Sequence, residues 1–228
     1  MNIILDVDGT IWDTTDVVAK SWMKAVCEVV PEDSPVRDRV ITGATLKKEF
    51  GKPMDEIAAD LFPETDPETR VKLMDACAVH EQEDLEACED DLTYPGVKET
   101  IEHLSKDNNV YIVSNCQSGY IELVIKKLGI ADHIKDFECF GDTGKYKAEN
   151  IRMVIERNTN GCACDMDFFY VGDTAGDFRA SAEAGVPFIF ASYGFGTEEE
   201  IKAAEKEPIQ MLCDKRMSTP AARWLMAL

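Results

Sequence analysis

From residue 95 onward the chain alternates between two kinds of segment. Short apolar runs at 110–113, 137–140, 168–171 and 188–190 take turns with stretches near 97–104, 119–128, 148–157 and 178–184, whose apolar residues recur at helical spacing. Parallel strands need a crossover between neighbours, and strand–helix alternation supplies it, so the pattern predicts a parallel sheet covered by helices. One further run, Ile3-Ile4-Leu5-Asp6-Val7, has the same character but stands alone at the start. Nothing between Thr14 and Asp90 reads as a strand. Val17, Val18, Trp22, Val26 and Val29 recur near helical spacing, as do Met54, Ile57, Ala58 and Leu61. Gly51-Lys52-Pro53 and Pro63 interrupt the pattern, and a charged helix is expected from Pro67 to about Cys88. The expectation is an α/β chain: a Rossmann-like parallel-sheet core over 1–14 and 92–228, with an all-helical domain, 15–91, inserted between its first two strands.

Charge narrows the partners. The formal net charge is −20, whereas nucleic acid and anionic membrane are bound by surplus Lys and Arg. Neither is expected as a partner. No apolar run approaches membrane-spanning length, and the N-terminus lacks a basic region followed by a long apolar stretch. A cytoplasmic protein, monomer or homodimer, is the expectation. Cysteines at 27, 77, 88, 116, 139, 162, 164 and 213 form no C-x-x-C pair, and His80, His103 and His133 stand at no zinc-ligand spacing from them. Free, mostly buried thiols in a reducing compartment are expected.

Ligands of doubly wound sheets bind beyond the carboxyl ends of the strands, so the residues that end each run carry the chemistry. The first run ends in Asp6-Val7-Asp8-Gly9-Thr10, the second in Ser114-Asn115 and the fourth in Gly172-Asp173-Thr174-Ala175-Gly176-Asp177. Lys145 and Lys147 follow the third. Carboxylates, a hydroxyl and a lysine gathered on one edge are what metal-assisted phosphoryl transfer needs. Mg2+ prefers oxygen ligands, and Asp6 and Asp173 are the natural ones, with Asp177 in a supporting or alternate position. A carboxylate can attack phosphorus and divide one hard displacement into two easier ones. Asp8, two residues from Asp6, falls on the same side of an extended segment and is placed to move protons. Gly9 permits the sharp turn that follows. The Ser114 hydroxyl, backbone amides near Asn115 and a lysine would hold the phosphoryl oxygens.

These motifs resemble those of the haloacid dehalogenase superfamily, and within it the phosphoglycolate-phosphatase-like phosphatases with a helical cap. D-x-D-G-T stands at 6–10, an apolar strand ending in Ser at 110–114, and G-D-x-x-x-D at 172–177. Tyr94-Pro95-Gly96-Val97 resembles the return from cap to core, and Ser192-Tyr193-Gly194-Phe195-Gly196 the glycine-aromatic loop after the last core strand. The resemblance implies Asp6 as nucleophile and Asp8 as acid/base. It implies Mg2+ held by Asp6, Asp173 and the Asp8 backbone carbonyl. Gly9, Thr10, Ser114, Asn115 and Lys147 would hold the phosphate. The third motif departs from the usual Lys-Pro, reading Gly144-Lys145-Tyr146-Lys147, and Lys147 is preferred over Lys145 because it directly precedes the helix. The implied activity is hydrolysis of a small phosphorylated metabolite, phosphoglycolate-like or a sugar phosphate. A phosphomutase, a pyrophosphatase or a nucleotidase would use the same groups, and a non-catalytic phosphate-binding module is the remaining rival.

Other features have plainer readings. Asp177 could be only a helix N-cap. Lys47 and Lys48 fit a solvated helix face, and the charge run from Glu81 to Asp91 fits another. Trp12 and Asp13 are placed to shape the hinge into the helical insertion, and the histidines have no catalytic spacing.

Overall fold

The computed structural model describes residues 1–159 and 168–206. In chain order these form β1 (Asn2–Leu5), α1 (Thr15–Val29), α2 (Gly43–Leu46), α3 (Met54–Leu61), α4 (Pro67–Ala87) and α5 (Val97–Leu104). There follow β2 (Asn109–Ser114), α6 (Tyr120–Leu128), β3 (Asp136–Cys139), α7 (Phe140–Thr143) and α8 (Lys147–Thr159). β4 (Phe168–Gly172), α9 (Ala175–Ala184), β5 (Phe188–Phe190) and α10 (Glu198–Ala204) complete them. The strands build one parallel sheet in the order β3-β2-β1-β4-β5. The chain therefore moves outward one way from β1 and then returns to start again at β4. The strand order reverses between β1 and β4, and the crevice for a ligand opens at their carboxyl ends.

Both faces of the sheet are buried, which is why its strands read as continuous apolar runs. Ile3 and Leu5 point into the larger core with Val110, Ile112, Ile121, Val124 and Leu128. Ile4 points the other way, against Tyr111, Val113, Tyr170 and the α8 residues Ile151 and Val154. Across the sheet Ile4 stands opposite Tyr111 on one side and Tyr170 on the other. The larger core runs on without a break into the helices of residues 15–91, through Val18, Trp22, Leu46, Leu73 and Leu85.

The connections into and out of these helices lie side by side. Asp13 N–H donates to Leu92 O at 2.8 Å, Tyr94 N–H to Ile11 O at 3.1 Å, and Trp12 bridges Thr93. α4 begins at an Asp66 side chain that accepts from two backbone N–H groups, with Pro67 in the first turn.

Several expectations need correction. Phe140 opens α7 rather than ending β3. Gly141 passes so close to the neighbouring loop that a Cβ there would lie 2.1 Å from Ser118 N, and the chain turns away. α9 starts at Ala175, because Thr174 and Asp177 form a reciprocal capping box one turn before Phe178. The run from Glu81 to Asp91 is not a uniform solvated face. Leu73, Cys77, Glu81 and Leu85 recur every four residues on the buried face of α4, and this carries Glu81 inside. The described thiols are free, yet only Cys77 and Cys139 are buried, while Cys27 is exposed. Cys162, Cys164 and Cys213 lie outside the described residues.

Ile4→Ala, which opens a cavity at a side chain with no exposure, is expected to cost about 2–5 kcal/mol in urea denaturation. Val79→Ala on the exposed side of α4 is expected to stay within about 0.5 kcal/mol of the parent.

Candidate active site

β1 and β4 end at the strand-order reversal, and each delivers a buried aspartate there. Asp6 extends the ladder by one residue, its N–H donating to Val171 O at 2.9 Å. Asp173 follows β4 directly. Oxygen atoms of Asp6, Asp173 and Asp177 lie within 4.8 Å of one another, and all three side chains are buried. Close backbone approach makes this possible. Gly9 has φ +81°, and a Cβ there would sit 2.1 Å from Asp173 Oδ2. A Cβ on Gly194 would come within 2.3 Å of Asp173 Cβ. The glycines of the first motif and of the last core loop thus form a cradle around Asp173 that no side chain could share. Inside it, Asp173 accepts from Phe195 N–H at 2.7 Å and from Thr10 Oγ1 at 3.2 Å.

Lys147, the first residue of α8, is 3% exposed. Its Nζ donates to Asp177 Oδ1 at 2.5 Å and stands 3.0 Å from Asp6 Oδ1. Lys145 is exposed, its Nζ 3.6 Å from Met153 Sδ; Lys147 is the lysine at this site. Asp177 is saturated with donors. Its other oxygen accepts from the N–H groups of Asp173 and Thr174 and from Thr174 Oγ1. It is the N-cap partner that the sequence allowed, and it also anchors the lysine. Asp6 Oδ1, in contrast, makes no directed hydrogen bond despite the nearby ammonium.

The electrostatics follow from burial and from charge balance. Burial pushes the Asp6 carboxyl well above the usual carboxylate range, repulsion from Asp177 adds to this, and Lys147 opposes it. Burial, then Asp177, lifts Asp173 to about 7, against the pull of the Phe195 N–H and Lys147. Burial also works against ionised Asp177, but Lys147 and the Thr174 donors hold it below the ordinary value. Burial disfavours the Lys147 ammonium, and Asp177 and Asp6 outweigh that to raise it. Three buried carboxylates share one ammonium. A cation held by oxygen fits this set: the donors are all carboxylate, Asp6 Oδ1 is left without a directed donor, and the glycine cradle keeps side chains out.

Asp8 sits at the mouth of the same crevice. Tyr120 OH donates to Asp8 Oδ1 at 2.7 Å, and Thr14 Oγ1 lies 3.4 Å from the same oxygen and 3.0 Å from Tyr120 OH. Burial raises Asp8 to about 6, with Tyr120, Lys147 and Thr14 pulling the other way. Ser114 is buried at the end of β2. Asn115 Nδ2 donates to Gly51 O at 2.8 Å, which ties the core edge to the helical insertion. Lys47 pairs with Asp13 Oδ2 at 2.7 Å and lies over the Phe195 ring, so its ammonium is committed.

A cavity of about 40 Å³ runs between Asp6, Asp8, Ser114 and Asn115 on one side and Trp22, Phe50, Met54, Ile57 and Glu81 on the other. Sequence reasoning missed Tyr120, Thr14 and Glu81. The four-residue repeat through Glu81 was a signal that could have found it; nothing in the sequence points to Tyr120, whose partner lies 112 positions away.

Comparison with known proteins agrees with this fold. The family model described as haloacid dehalogenase-like hydrolase matches residues 3–191. A phosphoglycolate phosphatase of Vibrio vulnificus (strain CMCP6) is 26% identical over 224 residues, covering 90% of this chain and 89% of that one. A haloacid dehalogenase-like hydrolase of Bacteroides fragilis shares the fold with TM-score 0.74 at 20% identity, over 89% of this chain and 92% of its own. A hydrolase of Pseudomonas syringae superposes with TM-score 0.68 at 17% identity, over 90% of each chain.

Lys147→Met removes the cation from a cluster of buried carboxylates and is expected to destabilise the cation-free protein by about 3–5 kcal/mol. Saturating Mg2+ should restore part of that loss, because a ligand that binds only the folded state stabilises it. Thermal melts with and without Mg2+ check this, with a larger Mg2+-induced rise in Tm expected for the variant than for the parent.

Proposed function

The chain belongs to the haloacid dehalogenase-like hydrolases, and we propose that it hydrolyses a small phosphomonoester through a phosphorylated Asp6, with Mg2+ held at the acidic cluster. The observation that carries this reading is the meeting of Asp6, Asp173 and Lys147 where the strand order reverses. No helix among the described residues is long and apolar enough to cross a membrane.

In the first step an Asp6 oxygen attacks phosphorus and the bond to the ester oxygen breaks. Asp8, held by Tyr120 and Thr14, gives its proton to the departing alcohol. In the second step Asp8 takes a proton from water as that water attacks the phosphorus of the aspartyl-phosphate. Phosphate leaves and Asp6 is restored. Mg2+ held by Asp6, Asp173 and the Asp8 backbone carbonyl would screen the anionic nucleophile from the anionic ester. Lys147, the Ser114 hydroxyl and the backbone amide of Asn115 are the donors for the phosphoryl oxygens, while Gly9 N–H is taken by Trp12 O and Thr10 N–H by Val7 O, so these two residues shape the loop beside the phosphate. Asp177 holds Lys147 in place without touching substrate.

Residues 15–91 act as a cap over the core formed by 1–14 and 92–228. The 40 Å³ cavity is well below the roughly 300 Å³ or more of a usual small-molecule site. The cap therefore opens to admit the ester and closes to exclude bulk water. Hydrolysis is favoured over return of the phosphoryl group to a second phosphorylated sugar. An arginine in the first cap segment would suit such a substrate, and this chain has Leu46, Lys47 and Lys48 there, with Lys47 paired to Asp13.

Release of phosphate from a panel of esters, with Mg2+ and with chelator, tests the reading. Wild type is expected to turn over with Mg2+ only, and Asp6→Asn to lose at least about 1,000-fold in kcat, as removal of a nucleophile does. Mg2+-independent turnover, or an active Asp6→Asn protein, would overturn it.

A further inference from the structure

The cavity beside Asp6 and Asp8 has a chemical bias that bears on the alcohol half of the substrate. Trp22, Phe50, Met54 and Ile57 give it apolar and aromatic walls, and polar side chains of the core edge and of Glu81 stand among them. Glu81 is 8% exposed, and its Oε2 accepts from Trp22 Nε1 at 2.8 Å. Asn115 Oδ1 is buried with no hydrogen-bond partner. The Asn115 amide cannot be reversed to change this, since Nδ2 donates to Gly51 O and a flip would set two carbonyl oxygens together. Lys52 is the cation in the lining, and its Nζ is held by Glu49 at 2.6 Å and Asp60 at 2.8 Å. Glu81 and Asn115 Oδ1 thus offer acceptors, beside the hydroxyls of Ser114 and Tyr120 and the Gln117 amide, and the lysine of the lining is paired.

Resting on the hydrolase reading above, we infer that Glu81 is a specificity-determining residue and that the alcohol leaving the phosphate carries a hydrogen-bond donor, a hydroxyl or an ammonium, rather than a carboxylate. The donor meets Glu81, and Asn115 Oδ1 gains the partner it lacks; an unpaired buried acceptor is a standing cost that a matching ligand removes. Burial raises the Glu81 carboxyl to about 8, the Trp22 N–H opposing and Asp8 adding to it. A neutral acid of this kind both gives and takes a hydrogen bond from a hydroxyl, and a cationic ligand draws it to the carboxylate form. A substrate carboxylate would lie beside Asp6, Asp8 and Glu81, with Lys147 and the proposed Mg2+ already engaged by the phosphoryl group. The aromatic walls also suit an ammonium.

The test is kcat/KM with Mg2+ for glycerol 3-phosphate, phosphoethanolamine, 2-phosphoglycolate, 3-phosphoglycerate and p-nitrophenyl phosphate. Wild type is expected to favour one of the first two over both carboxylate esters by at least about 10-fold, since a site built around a buried polar group rejects analogues that leave it unpaired. Glu81→Met should shrink that ratio by about 10-fold or more. Glu81→Gln, which keeps an acceptor for Trp22, should retain the preference for glycerol 3-phosphate over the carboxylate esters and lose it for phosphoethanolamine. Preference of wild type for 2-phosphoglycolate, or a ratio unchanged in Glu81→Met that folds with a normal melt, would overturn this inference alone. No release from any ester, p-nitrophenyl phosphate included, would overturn the hydrolase reading and this inference with it.

Discussion

The site is organised around one ammonium shared by buried carboxylates. Lys147 is as buried as the acids it serves, and it offsets the cost of keeping their charge inside, which for an isolated buried ion is several kcal/mol. The pairing also sets the geometry. Asp177 is held by Lys147 on one oxygen and by the Asp173–Thr174 backbone on the other, so α8 and the start of α9 are locked to the end of β4. Asp6 is then left on the side of the lysine where no directed bond forms. Its carboxylate is the one proposed above to attack phosphorus.

That arrangement depends on a sheet whose order reverses beside β1. A strand end at the edge of the sheet would bring one acidic turn to solvent. The central position of β1, between β2 and β4, brings the first and fourth motifs into contact although more than 160 residues separate them in the chain. Two glycines are required at this contact. Gly9 and Gly194 let two backbone segments close on Asp173, and a methyl group at either place would have to displace the carboxylate.

Much of this was legible in the sequence, for a physical reason. Strands buried on both faces must be apolar throughout, and polar residues at their ends must then have another purpose. The strand pattern, the helical insertion and the positions of Asp6, Ser114, Asp173 and Lys147 follow from that contrast. What was not legible depends on pairing across the insertion. Glu81 lies in a charged stretch and was read with its neighbours as a solvated surface; only its place in the four-residue repeat of α4 carries it inside. Tyr120 looks like an ordinary helix residue until α6 is set beside the first motif. Helix starts were misjudged by a few residues where side chains, such as those of Thr174 and Asp177, satisfy the first N–H groups and let the helix begin early.

Thr14 shows how the helical insertion and the chemistry are joined. It is the N-cap residue of α1, yet its side chain caps nothing. A threonine hydroxyl in that place ordinarily accepts a backbone N–H and is worth about 1 kcal/mol to the helix. Here the hydroxyl is turned toward Tyr120 OH and Asp8. The cap residue just before the insertion's first helix thus forgoes a local bond to hold the carboxylate proposed to move the proton. Trp12 on one side of that residue bridges Thr93, and Asp13 binds both Thr15 and Lys47. Any swing of the helices about this crossing moves Thr14, and with it the hydrogen bonds on Asp8. Under the proposed cap motion, closure over a substrate and the setting of the acid would be one event, because Asp13 and Thr14, which follow the first motif, bond to the helices on one side and to Asp8 on the other.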